Sequence, residues 1–194
     1  MKFFQEVTLL PGAEVGLYFL WKKVFQQLHL AFVEIKDQQG HVPVGLSFPG
    51  YSSEKIGLGN LLRVFSLKEE DLQRLKLDKW FSSFSDYVSI SPVRSVPISI
   101  IKGFAVFKRW QGQTNIERLA RRRSRRKHES LEQAMAYYSE FEEERAVLPY
   151  VQVKSLSGNR EFRLIIKREI KSGQSEGAFN CYGLSLGEAT VPIW

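Results

Sequence analysis

His29, Ser155, Ser157 and Tyr182 are the side chains from which acid–base chemistry could be assembled in this chain. Of its three histidines, His29, His41 and His128, no two lie close enough to form a local HxxxH-type metal site. The one cysteine, Cys181, excludes an intrachain disulfide and a cysteine-based structural zinc. There is no Gly-x-Ser-x-Gly elbow, no Walker loop and no carboxylate cluster, and Gly57-Leu58-Gly59 is too short to cradle a phosphate and reads as a turn. The inventory comfortably supports one kind of reaction, proton transfer by histidine with no cofactor. RNA permits such a reaction, because its own 2′-hydroxyl attacks the adjacent phosphate once a base removes the proton. A helical wheel places His29 beside Phe25, at the edge of an apolar stripe. There the imidazole is half exposed, and the plainer reading is a surface or internally satisfied histidine. Ser155 and Ser157 stand two apart at the end of a strand-like run and so face one side. Tyr182 belongs to the segment Asn180-Cys181-Tyr182-Gly183.

A second constellation is cationic. Arg118 to Lys127 holds seven basic residues in ten with no acid. At 100° per residue, Arg118, Arg121, Arg122, Arg125 and Arg126 share one helix face, with Ile116, Leu119 and Ala120 off it. Guanidiniums on one stripe repel one another unless an anion sits between them. Their forks match phosphate and can also read guanine edges. The pattern favours a nucleic acid over a merely solvated face, and leaves RNA and DNA both open. Just upstream, Arg109 and Gln111 flank Trp110, and both residue types can make bidentate contacts to base edges.

These groups need a scaffold, and the composition supplies one. The chain has 194 residues, 43% hydrophobic and 25% charged, with 14 Phe, 7 Tyr and 4 Trp, a globular balance with ample material for a core. Its net charge of +7 is uneven: residues 1–96 carry about +1 and residues 97–194 about +6. No stretch reads as a signal peptide or a membrane span, which points to a reducing compartment. Lys2–Leu9 reads as a strand, Val15–Val33 as an amphipathic helix, and Val42–Phe48 and Leu61–Phe65 as strands. Ser66 and Glu69 suggest a capping box opening a helix that buries Leu72, Leu75, Trp80 and Phe81, and Tyr87–Ile90 reads as a fourth strand. Strand, helix, strand, strand, helix, strand is the order of a ferredoxin-like, RRM-like domain. A boundary near Ser95–Pro97 gives two domains, 1–96 and 97–194. In the second, Ile98–Trp110 has strand character. Thr114/Glu117 and Ser130/Gln133 suggest capping boxes for helices reaching about His128 and Arg145. Strands follow at Tyr150–Lys154, Glu161–Lys167, Ala178–Leu184 and Thr190–Trp194. The fold class is α+β, the C-terminal domain being mixed α/β with an arginine-rich helix.

Together these pieces carry a resemblance. Leu28-His29-x-Ala31, Gly45-Leu46-Ser47-Phe48-Pro49, Arg109-Trp110-Gln111, Asn115-x-Glu117-Arg118-Leu119, Ser155-x-Ser157, Phe162-Arg163-Leu164, Cys181-Tyr182-Gly183-Leu184-Ser185 and Val191-Pro192 occur in order across most of the chain. In order and spacing the chain resembles the repeat-RNA-processing endoribonuclease of CRISPR type I-F systems, the hairpin-cleaving Cas subunit of the Csy complex. The resemblance implies metal-independent cleavage of precursor CRISPR RNA on the 3′ side of the repeat hairpin, leaving a 2′,3′-cyclic phosphate and requiring no cofactor. It implies His29 as general base, Ser155 holding the attacking ribose, and Ser157 and Tyr182 positioning the histidine or the RNA. Arg109 and Gln111 would read bases at the stem foot, and Phe162 would stack under the terminal base pair. Arg122, Arg125 and Arg126 would contact phosphates, with Arg118 and Arg121 in support. The partners implied are the repeat hairpin and the other Cas subunits of the surveillance complex, with no membrane, in a prokaryotic cytoplasm. Two other readings are a catalytically silent cap that binds the same hairpin and a regulator of duplex DNA.

Overall fold

A strand with two paired neighbours and alternating large apolar residues makes the centre of a sheet. β1 (Phe3–Leu9) is that strand, with Val7 and Leu9 buried on one face and Phe4 on the other. The computed structural model of the chain describes residues 1–111, 116–138, 147–155, 158 and 160–194, the side chains of residues 116–118 excepted. The described residues form a mixed α/β structure with two antiparallel sheets. They divide into two compact units, residues 1–110 with 148–194, and residues 111–147.

In the larger unit, β1 pairs with β3 (Leu61–Ser66) and β4 (Val88–Ile90), and β3 pairs with β2 (Val44–Ser47). The order is β2-β3-β1-β4, with the short β5 (Arg94–Ser95) also on β1. The second sheet runs β7 (Tyr150–Lys154), β8 (Glu161–Lys171), β6 (Gly103–Arg109), β9 (Val191–Ile193). α1 (Leu17–Ile35) buries Leu20, Trp21, Val24, Phe25, Leu28, Ala31 and Phe32, the three- and four-residue spacing of one helix face. The rings of Phe25 and Phe48 stack at 6.0 Å, and Phe48 meets Phe107 edge-on at 5.3 Å, so both sheets feed one core. Polar atoms on the buried aromatics are satisfied: Trp21 Nε1 donates to Gly59 O at 2.8 Å, and the Tyr51 hydroxyl donates to Ile166 O at 3.0 Å.

Several sequence expectations change here. Ser66 caps no helix: Lys68 is the N-cap of α2 (Glu69–Leu75) and provides no side-chain cap. The Ser66 hydroxyl, fully buried, instead lies 3.0 Å from Pro43 O and 2.9 Å from Asp71 Oδ2 and accepts from Lys68 N. The single expected helix is two, because Lys76 takes a left-handed conformation (φ 47°) between α2 and α3 (Leu77–Phe81). Residues 98–100 form a 3-10 turn, so β6 starts only at Gly103. Residues 178–184 are not a strand; they make isolated bridges from Phe179 to Val42 and Ser185, and then a turn.

The smaller unit holds α4 (Ile116–Lys127) and α5 (Leu131–Tyr137), which meet over buried Ala120 and Ala134. His128 turns the chain with φ 55°. Here the expected capping box exists: Gln133 N donates to Ser130 Oγ at 3.1 Å, and Ser130 N donates to Gln133 Oε1 at 3.0 Å. Thr114 of the other expected box and residues 139–146 of the longer expected helix lie outside the described residues.

Candidate functional site

His29 stands half-buried on the flank of α1, and its Nδ1 lies 2.9 Å from the carbonyl oxygen of Cys181. A carbonyl can only accept, so in the neutral ring Nδ1 carries the proton and the lone pair is on Nε2. The imidazole therefore has a defined tautomer suited to accepting a proton. What fixes the carbonyl is a turn with its own clasp. Asn180 Oδ1 accepts from Tyr182 N at 2.8 Å and from Leu184 N at 3.3 Å, while Gly183 N donates to Asn180 O at 2.8 Å. The turn is docked on β2 through Leu46 N, which donates to Gly183 O at 2.9 Å. Gly183 has φ +68°, and a Cβ there would stand 2.6 Å from Leu46 Cγ and 3.0 Å from Phe32. No larger residue fits this contact without displacing the core.

The next residue along covers the histidine. The Tyr182 ring stacks on His29 with centroids 4.3 Å apart and planes 11° from parallel. Phe162, on β8, meets Tyr182 edge-on at 6.4 Å, and the Arg109 guanidinium lies 5.3 Å from the Phe162 ring centre. His29, Tyr182, Phe162 and Arg109 thus form one continuous row. Burial pushes the Tyr182 phenol above the usual tyrosine range; the positive charge of Arg109 pulls it partly back, and Cys181 adds a small push upward. The hydroxyl therefore keeps its proton at neutral pH.

Ser155 follows directly on β7, beside the strand that carries Phe162; its half-buried Oγ accepts from Gly158 N at 3.3 Å. Ser157 lies outside the described residues. Gln111 is exposed one residue beyond Trp110, whose N–H donates to Ile165 O at 2.9 Å. Sequence reasoning missed Asn180 as the residue that holds the turn, and the Cys181 carbonyl as the partner of His29. An Asn three positions before a Gly was the available signal.

On α4, Arg121, Arg122, Arg125 and Arg126 are exposed and line one shallow concavity. The side chain of Arg118 lies outside the described residues. Arg123, in the same run, points elsewhere. Its guanidinium sits 3.7 Å over the Tyr137 ring and pairs with Glu129, which ties α4 to α5. Among the described side chains, the basic run therefore contains a presented face of four arginines and one structural clamp. Among the described residues, no three His, Cys, Asp or Glu side chains cluster as a metal site would need, and no helix is long and apolar enough to cross a membrane.

Comparison with known proteins adds the following. The family described as CRISPR-associated protein (Cas_Csy4) matches residues 4–194. A relative from Escherichia coli (strain UTI89 / UPEC), named CRISPR-associated endonuclease Cas6/Csy4, is 32% identical over 193 residues, 99% of this chain and 99% of that one. A relative of the same name from Pseudomonas aeruginosa (strain UCBPP-PA14) is 31% identical over 188 residues, 96% of this chain and 97% of that one. A solved structure described as an RAMP protein binding different RNA substrates aligns over the whole of both chains at 12% identity and a TM-score of 0.34, a likeness too slight to build on.

Proposed function

Because this chain belongs to the CRISPR-associated Cas_Csy4 family, we propose a specific course for its reaction. The chain is an endoribonuclease of CRISPR RNA. It cuts the precursor on the 3′ side of the repeat hairpin without a metal ion. His29 Nε2 takes the proton from the 2′-hydroxyl of the nucleotide before the cut. The 2′-oxygen bonds to phosphorus, the bond to the 5′-oxygen of the next nucleotide breaks, and that oxygen takes a proton from water. The products are a 2′,3′-cyclic phosphate on the hairpin and a 5′-hydroxyl on the released strand. The observation that carries this reading is the 2.9 Å contact between His29 Nδ1 and the Cys181 carbonyl oxygen, which in the neutral ring puts the proton on Nδ1 and leaves Nε2 as acceptor.

The other side chains have supporting roles. Ser155 holds the attacking ribose in line with the leaving oxygen, which supplies much of the barrier reduction, and Ser157 helps to position the histidine or the RNA. Tyr182 keeps the imidazole plane fixed and offers its hydroxyl to the RNA. Phe162 stacks under the last base pair of the stem, and Arg109 and Gln111 read base edges there. Arg122, Arg125 and Arg126 neutralise stem phosphates, helped by Arg118 and Arg121. Among the described residues no lysine or second histidine joins the row as a general acid, so turnover is slow, as suits an enzyme that keeps its hairpin product within the type I-F effector complex in the cytoplasm. The β2-β3-β1-β4 order supports reading residues 1–96 as a ferredoxin-like, RRM-like domain that carries the base. Residues 97–194 then bring the RNA-contacting side chains.

The test is cleavage of a transcript bearing the repeat of the chain's own array, in EDTA, with wild type and His29→Ala. Wild type cuts, and the variant binds but loses cleavage by about a thousandfold. A substrate with 2′-deoxyribose at the cut binds and resists. A wild-type enzyme that binds tightly and never cuts identifies a silent cap, and an undiminished variant removes His29 from the chemistry.

A further inference from the structure

We propose that the N-terminal half of α1, with the adjoining β7-β8 ribbon, is a landing strip for single-stranded RNA that flanks the cut on the side away from the hairpin. The inference rests on the RNA-cleaving reading of the His29 site. It starts from two aromatics that the fold leaves in solvent: Tyr18 is 54% exposed and Phe19 is 50% exposed. Their surroundings are aromatic and cationic. The Tyr18 ring meets Tyr150 at 6.0 Å, and the Arg163 guanidinium lies 4.8 Å from the Tyr150 ring centre. Lys23 Nζ stands 5.4 Å from the centre of the Phe19 ring. Lys22 pairs with Glu161 at 2.6 Å, and Gln152 donates to the other oxygen of that carboxylate at 3.2 Å. That carboxylate is thus already engaged, while Lys154 and Arg160 beside it and Lys23 and Arg163 leave the face positive.

Aromatic faces interleaved with cations are what unpaired nucleotides bind: bases stack on the rings, and the backbone follows the charge. A protein partner would be expected to cover a patch whose centre is depleted of charge, and this one is not. Position supplies the link to the reaction. At 100° per residue, Tyr18, Lys22 and His29 fall within about 40° of one another on α1, one stripe of the same helix. Tyr18 and His29 are eleven residues apart, about 16 Å along the axis, the reach of a few nucleotides. The duplex side of the row is accounted for by Phe162 and Arg109, so a strand leaving His29 along this stripe is the unpaired one.

The test compares two hairpin RNAs, both with 2′-deoxyribose at the cut. One ends a single nucleotide past it, and the other carries a ten-nucleotide oligoadenosine tail. Wild type should bind the tailed RNA about tenfold more tightly, the effect of one base stack. In Tyr18→Ala/Phe19→Ala, matched to wild type by melting temperature and circular dichroism, the ratio should fall to near one. Equal wild-type affinity for the two RNAs overturns the proposal, as does a ratio that survives the double substitution. Either result would leave the patch to a protein partner. Failure of the function reading looks different: wild type would then leave uncut a hairpin that keeps its 2′-hydroxyl at the cut, whatever the tail does to affinity.

Discussion

A base that must take a proton from a ribose hydroxyl works only with its lone pair on the nitrogen facing the RNA. In the proposed reaction that condition is set through Asn180, whose side-chain oxygen bonds the backbone of the turn. Asn180 gathers the N–H groups of Tyr182 and Leu184, and in doing so aims the Cys181 carbonyl at His29 Nδ1. Asn180→Ala leaves the turn unclasped and lets the ring rotate. Single-turnover cleavage should fall by about ten- to a hundredfold, with hairpin affinity changed little. Asn180→Asp keeps an oxygen acceptor for both N–H groups and should recover most of the rate; that rescue separates positioning from general damage to the fold. A parallel loss of affinity and rate in both variants would count against it. His29 could be singled out because the chain has only three histidines, whereas Phe162, one of 14 Phe, and the role of Tyr182, one of 7 Tyr, came from the resemblance. Asn180 was not legible, because its role consists of backbone hydrogen bonds closed within five residues and leaves no pattern in hydrophobicity or charge.

At the scale of elements, legibility followed periodicity. The amphipathic run of α1 and the alternation of β7 were readable because each buries one face at a fixed period. Residues 178–184 misled for the same reason. Phe179, Leu184 and the residues between them look like a buried strand, yet Asn180 and Gly183 impose a turn whose backbone packs on β2 and α1. The break at Lys76 was equally hidden, since a lysine carries no signal for a left-handed residue. Gly183→Ala tests the turn directly. A Cβ at 2.6 Å from Leu46 Cγ, on a residue with φ +68°, combines overpacking with backbone strain. The expected loss is about 2–4 kcal/mol of stability, read by urea unfolding. Gly12→Ala is the comparison, because a Cβ there meets nothing within 4 Å. Equal stability of the two variants would mean that the turn gives way freely.

For the whole molecule the governing quantity is charge, and its uneven distribution is legible in the residue order alone. The fold sharpens it, because Arg123 belongs to the packing of α4 on α5 while Arg121, Arg122, Arg125 and Arg126 face outward on α4. Two consequences differ in kind. Arg123→Ala removes the clamp between α4 and α5 and should act on that unit's stability, whereas charge removed from the outward face should act on RNA alone. In Arg125→Ala/Arg126→Ala, each lost phosphate contact ceases to release counterions. The slope of log affinity against log salt should therefore become shallower by about 1.4 to 1.8. Hairpin affinity near 0.1 M salt should fall by about tenfold or more, and the cleavage rate at saturating enzyme should fall far less, because a bound hairpin still meets the same His29 row. A rate that collapsed with the affinity would mean that these arginines shape the reacting geometry. An unchanged salt slope would mean that the outward face of α4 carries no phosphate at all, and the excess charge of residues 97–194 would need another partner.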